Sequence, residues 1–136
     1  MVKDIIHDII FLGRAGKTAL PEDIDIANDL LDTIKANSEH CVGMAANMIG
    51  SDKRIIVFAN DSDYTVMFNP EIIKYSDAYN TSEGCLSLDG MRDVKRWRSI
   101  KVKWQDEKFR TRIKNFDGFT AQIIQHEIDH CNGILI

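Results

Sequence analysis

The run His126-Glu127-Ile128-Asp129-His130 sets two imidazoles and a carboxylate on one helix, because residues four apart lie about one turn from each other. At that spacing both rings can reach a single metal ion while Glu127 stands beside it. A divalent cation lowers the pKa of a water it binds to about 7, and a neighbouring carboxylate can take the remaining proton as the oxygen attacks a carbonyl. Only Cys131-Asn132-Gly133-Ile134-Leu135-Ile136 follows His130, so a third ligand must come from upstream. The candidates are Cys41, Cys85, His7, His40 and the acidic residues, with Cys131 too close along the same helix. Cys85 is preferred: Gly84 lets the backbone approach a ligand closely, and a thiolate suits a borderline-soft metal. Without the histidine pair, Cys85 would read as a small buried hydrophobe. One Cys and two His leave the fourth position open, the mark of a catalytic rather than a structural site.

Three segments, in order, resemble the motifs of the peptide deformylase family: Cys41-Val42-Gly43-Met44-Ala45-Ala46-Asn47-Met48, Glu83-Gly84-Cys85-Leu86-Ser87 and Gln125-His126-Glu127-Ile128-Asp129-His130. The likeness runs from the helix near residue 22 to Asn132-Gly133. It implies Cys85, His126 and His130 as ligands of a catalytic Fe(II), replaceable by zinc, nickel or cobalt, and Glu127 as general acid and base. It also implies the backbone N–H of Leu86 as an oxyanion donor, and removal of the formyl group from N-formylmethionyl nascent peptides. An extended peptide would pair with the backbone near Val42, Gly43 and Gly84. Its methionine side chain would enter an apolar pocket, for which Ile124, Ile128 and Trp97 are the candidate contributors.

The first motif departs from the family pattern Gly-x-Gly-x-Ala-Ala-x-Gln: Cys41 stands at a glycine and Met48 at the glutamine. In the family that glutamine amide donates to the oxyanion. A thioether cannot donate, so this donor is lost unless Asn47 turns in from the next position, and losing one such donor typically costs about 10²–10³ in turnover. Core packing alone would also account for Met48. The expectation is a slow deformylase, one with an altered acyl preference, or a relative that hydrolyses another amide. A different metal-dependent deacylase and a noncatalytic metal or peptide binder are the alternatives, and Glu127 favours catalysis because a binder needs no base.

The elements that must position these groups read as α+β, with antiparallel strands packed around one buried, metal-binding helix. The 136 residues, 44% apolar, suffice for a single domain with its own core. The apolar residues Ile24, Ala27, Leu30, Leu31 and Ile34 predict an amphipathic helix over 22–38, entered through Pro21, and Ile5, Ile6, Ile9 and Ile10 suggest a shorter helical segment. Residues 54–59 and 64–69 read as a hairpin, 100–104 and 109–114 as further half-buried strands, and 117–131 as the catalytic helix, ended by Gly133. Glu83 is expected to pair with Arg92 or Arg96, although the run Arg92, Lys95, Arg96, Arg98 reads first as a solvated basic face. Asp129 is expected to tie the helix to its scaffold, and Arg92 is a candidate contact for a peptide substrate.

With 17 basic against 21 acidic residues the net charge is −4, which does not suggest nucleic-acid binding. No apolar run of membrane-spanning length or signal-peptide form is present, and three cysteines without short paired spacing suit a reducing compartment, so a cytoplasmic location is expected. Nothing after Ile136 matches the extension by which some family members reach the ribosome, so ribosome docking is not expected. The oligomeric state is open.

Overall fold

The structure is a computed structural model that describes residues 1–136. A single helical turn, α1 (Ile9–Leu12), precedes the helix α2 (Ile24–Ala36), and five strands follow before the last helix. The strands are β1 (Gly43–Ala45), β2 (Ile55–Asn60), β3 (Asp63–Cys85), β4 (Leu88–Gln105) and β5 (Thr111–Asp117), and the helix is α3 (Gly118–Cys131). They form one antiparallel sheet in the order β1-β2-β3-β4-β5, with β1 and β5 at its edges. No helix is long and apolar enough to cross a membrane.

The two helices cover opposite faces of this sheet, and β2 shows why. Ile55, Ile56, Val57 and Phe58 are all fully buried. Because successive strand side chains point to opposite faces, Ile56 and Phe58 join Ala121, Ile124 and Ile128 of α3 in one core, while Ile55 and Val57 join Ala27, Leu30 and Ile34 of α2 in the other. A strand covered on both sides must be apolar at every position, which is what this run provides. The turn between β2 and β3 uses Asp61 in the left-handed region, φ 55°, and brings Asn60 opposite Asp63.

The expected helix over 22–38 and the hairpin over 54–69 are both present. The N-terminal segment is helical only from Ile9; Ile6 lies outside the helix, and its N–H bonds to the Met48 carbonyl. The strand expected from 109 begins at Thr111, because Phe109 has φ 59° and Asp106 accepts the N–H groups of Lys108 and Arg110, holding 106–110 in a turn. The larger difference is the length of β3 and β4, which continue as a hairpin through 71–85 and 88–99. Their outer halves are largely solvated, so no alternation of apolar and polar residues marks them.

The long strands carry their core end past an irregularity at Asn69-Pro70, where register shifts between Phe68 and Glu71. Pro70 has no N–H to offer a ladder, and Asn69 takes φ 53°, a conformation that Asn tolerates better than most residues. The Asn69 amide accepts from the Ala19 N–H at 2.7 Å and donates to the Ala19 carbonyl at 3.0 Å and to Gln105 Oε1 at 2.6 Å. Asn69→Ala should lower stability by about 1–3 kcal/mol in a denaturant titration, through unpaired buried groups and backbone strain. Asn69→Gly, which loses the same hydrogen bonds without the strain, should lose less.

Candidate metal centre and its pocket

Helix α3 is buried along most of its length, including His126, Glu127 and His130. One turn apart, the two imidazoles present Nε2 atoms 3.3 Å from each other, and Cys85 Sγ at the end of β3 lies 3.3 Å from His130 Nε2. The three ligand atoms all fall within 4.8 Å of one another. Around a tetrahedral ion with N at about 2.1 Å and S at about 2.3 Å, nitrogen pairs would be separated by about 3.4 Å and sulfur–nitrogen pairs by about 3.6 Å. The two 3.3 Å spacings agree within a few tenths of an ångström and the third pair lies within 4.8 Å, so the donor set can close on one divalent ion.

A buried ionic network orients this set. Arg96, only 4% exposed, donates through Nε and Nη2 to Glu83, with its closest contact 2.6 Å, and through Nη1 to Asp129 at 2.7 Å. Gln122 Nε2 donates to Glu83 at 2.9 Å, and Gln122 Oε1 accepts from the Tyr79 hydroxyl at 3.3 Å. Burial disfavours the Glu83 carboxylate, but the bonds from His126, Arg96 and Gln122 prevail and hold it at about 2. Glu83 is therefore ionised and can only accept, which makes His126 Nδ1, 2.8 Å away, the donor. The proton on Nδ1 leaves the Nε2 lone pair free for a metal, the arrangement by which an outer carboxylate fixes a ligand's tautomer.

Gln125 performs a second fixing task. Its amide accepts from the Trp97 N–H and donates to the Trp97 carbonyl, both at 2.8 Å, so it pairs with β4 as a strand would, just beyond the end of β5. The basic run 92–98 is thus not a uniform solvated face: Arg96 is its buried member, and its partners Glu83 and Asp129 explain why. Arg92 instead donates to the Asp89 carbonyl within the hairpin and does not line the pocket.

That pocket, about 450 Å³, opens beside Cys85 and His126 and is lined by Val42, Gly43, Met48, Gly84, Leu86 and Glu127 among others. Its apolar wall also includes Met91, Phe119 and Ile123, whereas Ile124, Ile128 and Trp97 pack into the core on the α3 face of the sheet. The pocket residue on α3 thus differs from the expected one by a single helix position: Ile123 faces the pocket and Ile124, about 100° further round, faces the sheet. Glu127 lines the pocket with Oε1 buried and without a protein partner. Burial is the main force raising its carboxyl to about 7, against the opposing pull of His126. Against its own burial, Glu127, Cys85 and Glu83 raise His126 to about 10, and burial together with that charge drives His130 down to about 3; an ion at His126 Nε2 would displace the second proton.

Comparison with known proteins places the chain in a family. Residues 14–136 match the polypeptide deformylase family model. A peptide deformylase of Clostridium beijerinckii is 50% identical over 136 residues, the full length of both chains, and that of Dictyoglomus thermophilum is 40% identical over 82% of this chain and 72% of its own. The chain belongs to the polypeptide deformylase family. Its fold matches the Met-Ala-Ser-bound class I type b peptide deformylase of Acinetobacter baumannii with a TM-score of 0.88, at 29% identity and coverage of 99% and 97%. The peptide deformylase of Thermus thermophilus matches with a TM-score of 0.88, at 33% identity and coverage of 99% and 83%.

Within this deformylase fold the divergent first motif has a definite geometry. Met48 is buried against the pocket, and its sulfur lies 3.5 Å from the Ala45 N–H. Asn47 does not turn in to replace an amide there, since its Nδ2 donates to the His130 carbonyl at 2.9 Å, on the far side from the pocket. Cys41 donates its thiol to the Gly43 carbonyl. Gly43 itself cannot be replaced without movement: a Cβ would lie 2.5 Å from Ile123 Cγ2 and 2.8 Å from Glu127 Oε2.

Two outcomes are expected from this geometry. Gly43→Ala should displace the Glu127 carboxylate and lower kcat for formate release by about 10²-fold while bound metal is retained, measured by steady-state assay beside metal analysis. Because Glu83 is held at about 2 from an ordinary 4.5, its contribution to stability is present above pH 4.5 and lost as pH falls toward 2. Glu83→Gln should therefore cost stability at pH 7, near the low end of about 3–5 kcal/mol since Asp129 still faces Arg96. The difference from the wild type should shrink toward pH 2 in thermal melts.

Proposed function

We propose that this chain, acting as one catalytic domain in the cytoplasm, removes the N-formyl group from N-formylmethionyl peptides of nascent proteins. In this reading Cys85, His126 and His130 hold Fe(II), for which zinc, nickel or cobalt can substitute. The observation that carries it is the convergence of one sulfur and two Nε2 atoms next to a pocket lined by a buried, unpartnered carboxylate. When bound, the ion supplies an acidified water and polarises the formyl carbonyl.

The chain's own groups then have these tasks. Gly43, on the edge strand β1, and Gly84, beside Cys85, line the pocket where an extended peptide can add its backbone to the sheet. Val42, Met91, Phe119 and Ile123 offer apolar surface to the methionine side chain. Glu127, with its carboxyl near 7, takes a proton from the attacking water and returns it to the departing amine nitrogen, so that formate and a free amino terminus are the products. The Leu86 N–H, in the turn between β3 and β4, serves as the backbone donor to the oxyanion. Met48 supplies no second donor, which supports a slower reaction than a glutamine at that position would give.

Protein prepared anaerobically with iron should release formate from formyl-Met-Ala-Ser. Glu127→Ala should keep the metal and lose the activity, and Met48→Gln should raise kcat, toward the about 10²–10³ that one oxyanion donor supplies. Retained activity in Glu127→Ala would remove that residue from the reaction. Absence of formate release from the metal-loaded wild type, with hydrolysis of another acyl amide, would favour the altered substrate that Met48 makes conceivable.

A further inference from the structure

Two buried polar atoms, one on the ligand His130 and one on its neighbour Asn47, have no protein partner: His130 Nδ1 and Asn47 Oδ1. The Asn47 amide cannot be turned over, because its Nδ2 donates to the His130 carbonyl at 2.9 Å and faces the Leu12 carbonyl at 3.5 Å. Reversal would set oxygen against oxygen. The tautomer of His130 is constrained as well. Its Nε2 lies 3.3 Å from both Cys85 Sγ and His126 Nε2, so this nitrogen must keep its lone pair if it is to bind an ion there, and the ring proton then sits on Nδ1. A donor on one side and an acceptor on the other are thus both buried, each at a cost of about 1–3 kcal/mol if left unmet.

Asn47 and His130 line the same narrow cavity, bounded also by Phe11, Arg14 and Asp52, with about 10 Å³ open to the centre of a water molecule. That is about the least space in which one water can sit, and a polar cavity of this size is where buried waters are found. We propose that a single water in this cavity accepts from His130 Nδ1–H and donates to Asn47 Oδ1, making Asn47 the positioning residue for His130 as Glu83 is for His126. The two rings are then held unequally, one by a carboxylate and one by a neutral water. His130 is the ligand that yields first when metal is withdrawn. The inference rests on the reading of Cys85, His126 and His130 as ligands and adds a residue outside the pocket to their support.

The test uses full-length protein loaded with zinc. Asn47→Leu fills the cavity with an apolar side chain, and its zinc should pass to a chelator about 10–100-fold faster than that of the wild type, the loss usual for an outer partner of a metal ligand. Asn47→Asp keeps an acceptor for the water but sets an oxygen against the His130 carbonyl, so it should melt lower than the wild type when metal-free and still release zinc within a few-fold of the wild-type rate. Thermal melts of the metal-free variants verify folding. On the wild type alone, nitrogen-15 NMR of the zinc form should show the His130 proton on Nδ1 in slow exchange with solvent. Equal zinc release from wild type and Asn47→Leu, or a freely exchanging His130 proton, would overturn the proposal. A wild type whose zinc binding is unchanged by Cys85→Ser would overturn the ligand reading itself, a separate result.

Discussion

The burial of Glu83 as a carboxylate is the constraint on which the rest of the structure depends. A lone ionised group of that kind would be expelled or neutralised, and it remains only because Arg96, Gln122 and His126 converge on it. Those partners belong to β4 and α3, while Glu83 itself is two residues from Cys85 at the end of β3. One charge cluster therefore joins the three elements that must meet if a sulfur and two imidazoles are to share a point. Arg96 continues the link to Asp129, one position before His130. Such ion pairs are poor sources of net stability, and their better-attested use is to specify one arrangement. Here the arrangement specified is the angle of α3 against the hairpin.

The same economy explains the division of α3 into faces. Ala121, Ile124 and Ile128 fill the core beneath the sheet, Gln125 repairs the exposed edge of β4, and Ile123 and Glu127 look into the pocket. From Ala121 onward little of the helix is left to solvent, which is why its sequence is not strongly amphipathic. Gly43 completes the pocket by absence, since any side chain there would collide with Glu127 and Ile123. The first motif thus serves the site through its backbone and through Asn47 behind it, while Met48 contributes bulk without a donor.

Much of the centre was legible from residue types, because a helix leaves His126 and His130 no choice but to share a face. Cys85 followed from the softness of its thiolate and from the glycine beside it. The helix α2 and the turn at 60–63 were equally readable, since their apolar spacing and turn residues depend on local physics alone. The remainder required distance in three dimensions. Glu83 was expected to pair with Arg92 or Arg96, but only the fold distinguishes them: Arg96 is the buried partner, shared with Asp129, and the rest of that run is solvated. The outer halves of β3 and β4 carry no apolar rhythm because they are largely solvated and what they bury, Glu83 and Arg96, is charged, and Ile123 and Ile124 could not be told apart without the helix rotation. The Asn47 amide was considered only as a stand-in for glutamine, whereas it belongs to the opposite side of α3.

X-ray absorption at the iron edge of protein purified without oxygen tests the central claim most directly. The account predicts about one iron per chain with one sulfur at about 2.3 Å and two imidazole nitrogens at about 2.1 Å. An iron bound only by nitrogen and oxygen, or a sulfur contribution that survives Cys85→Ser, would contradict it.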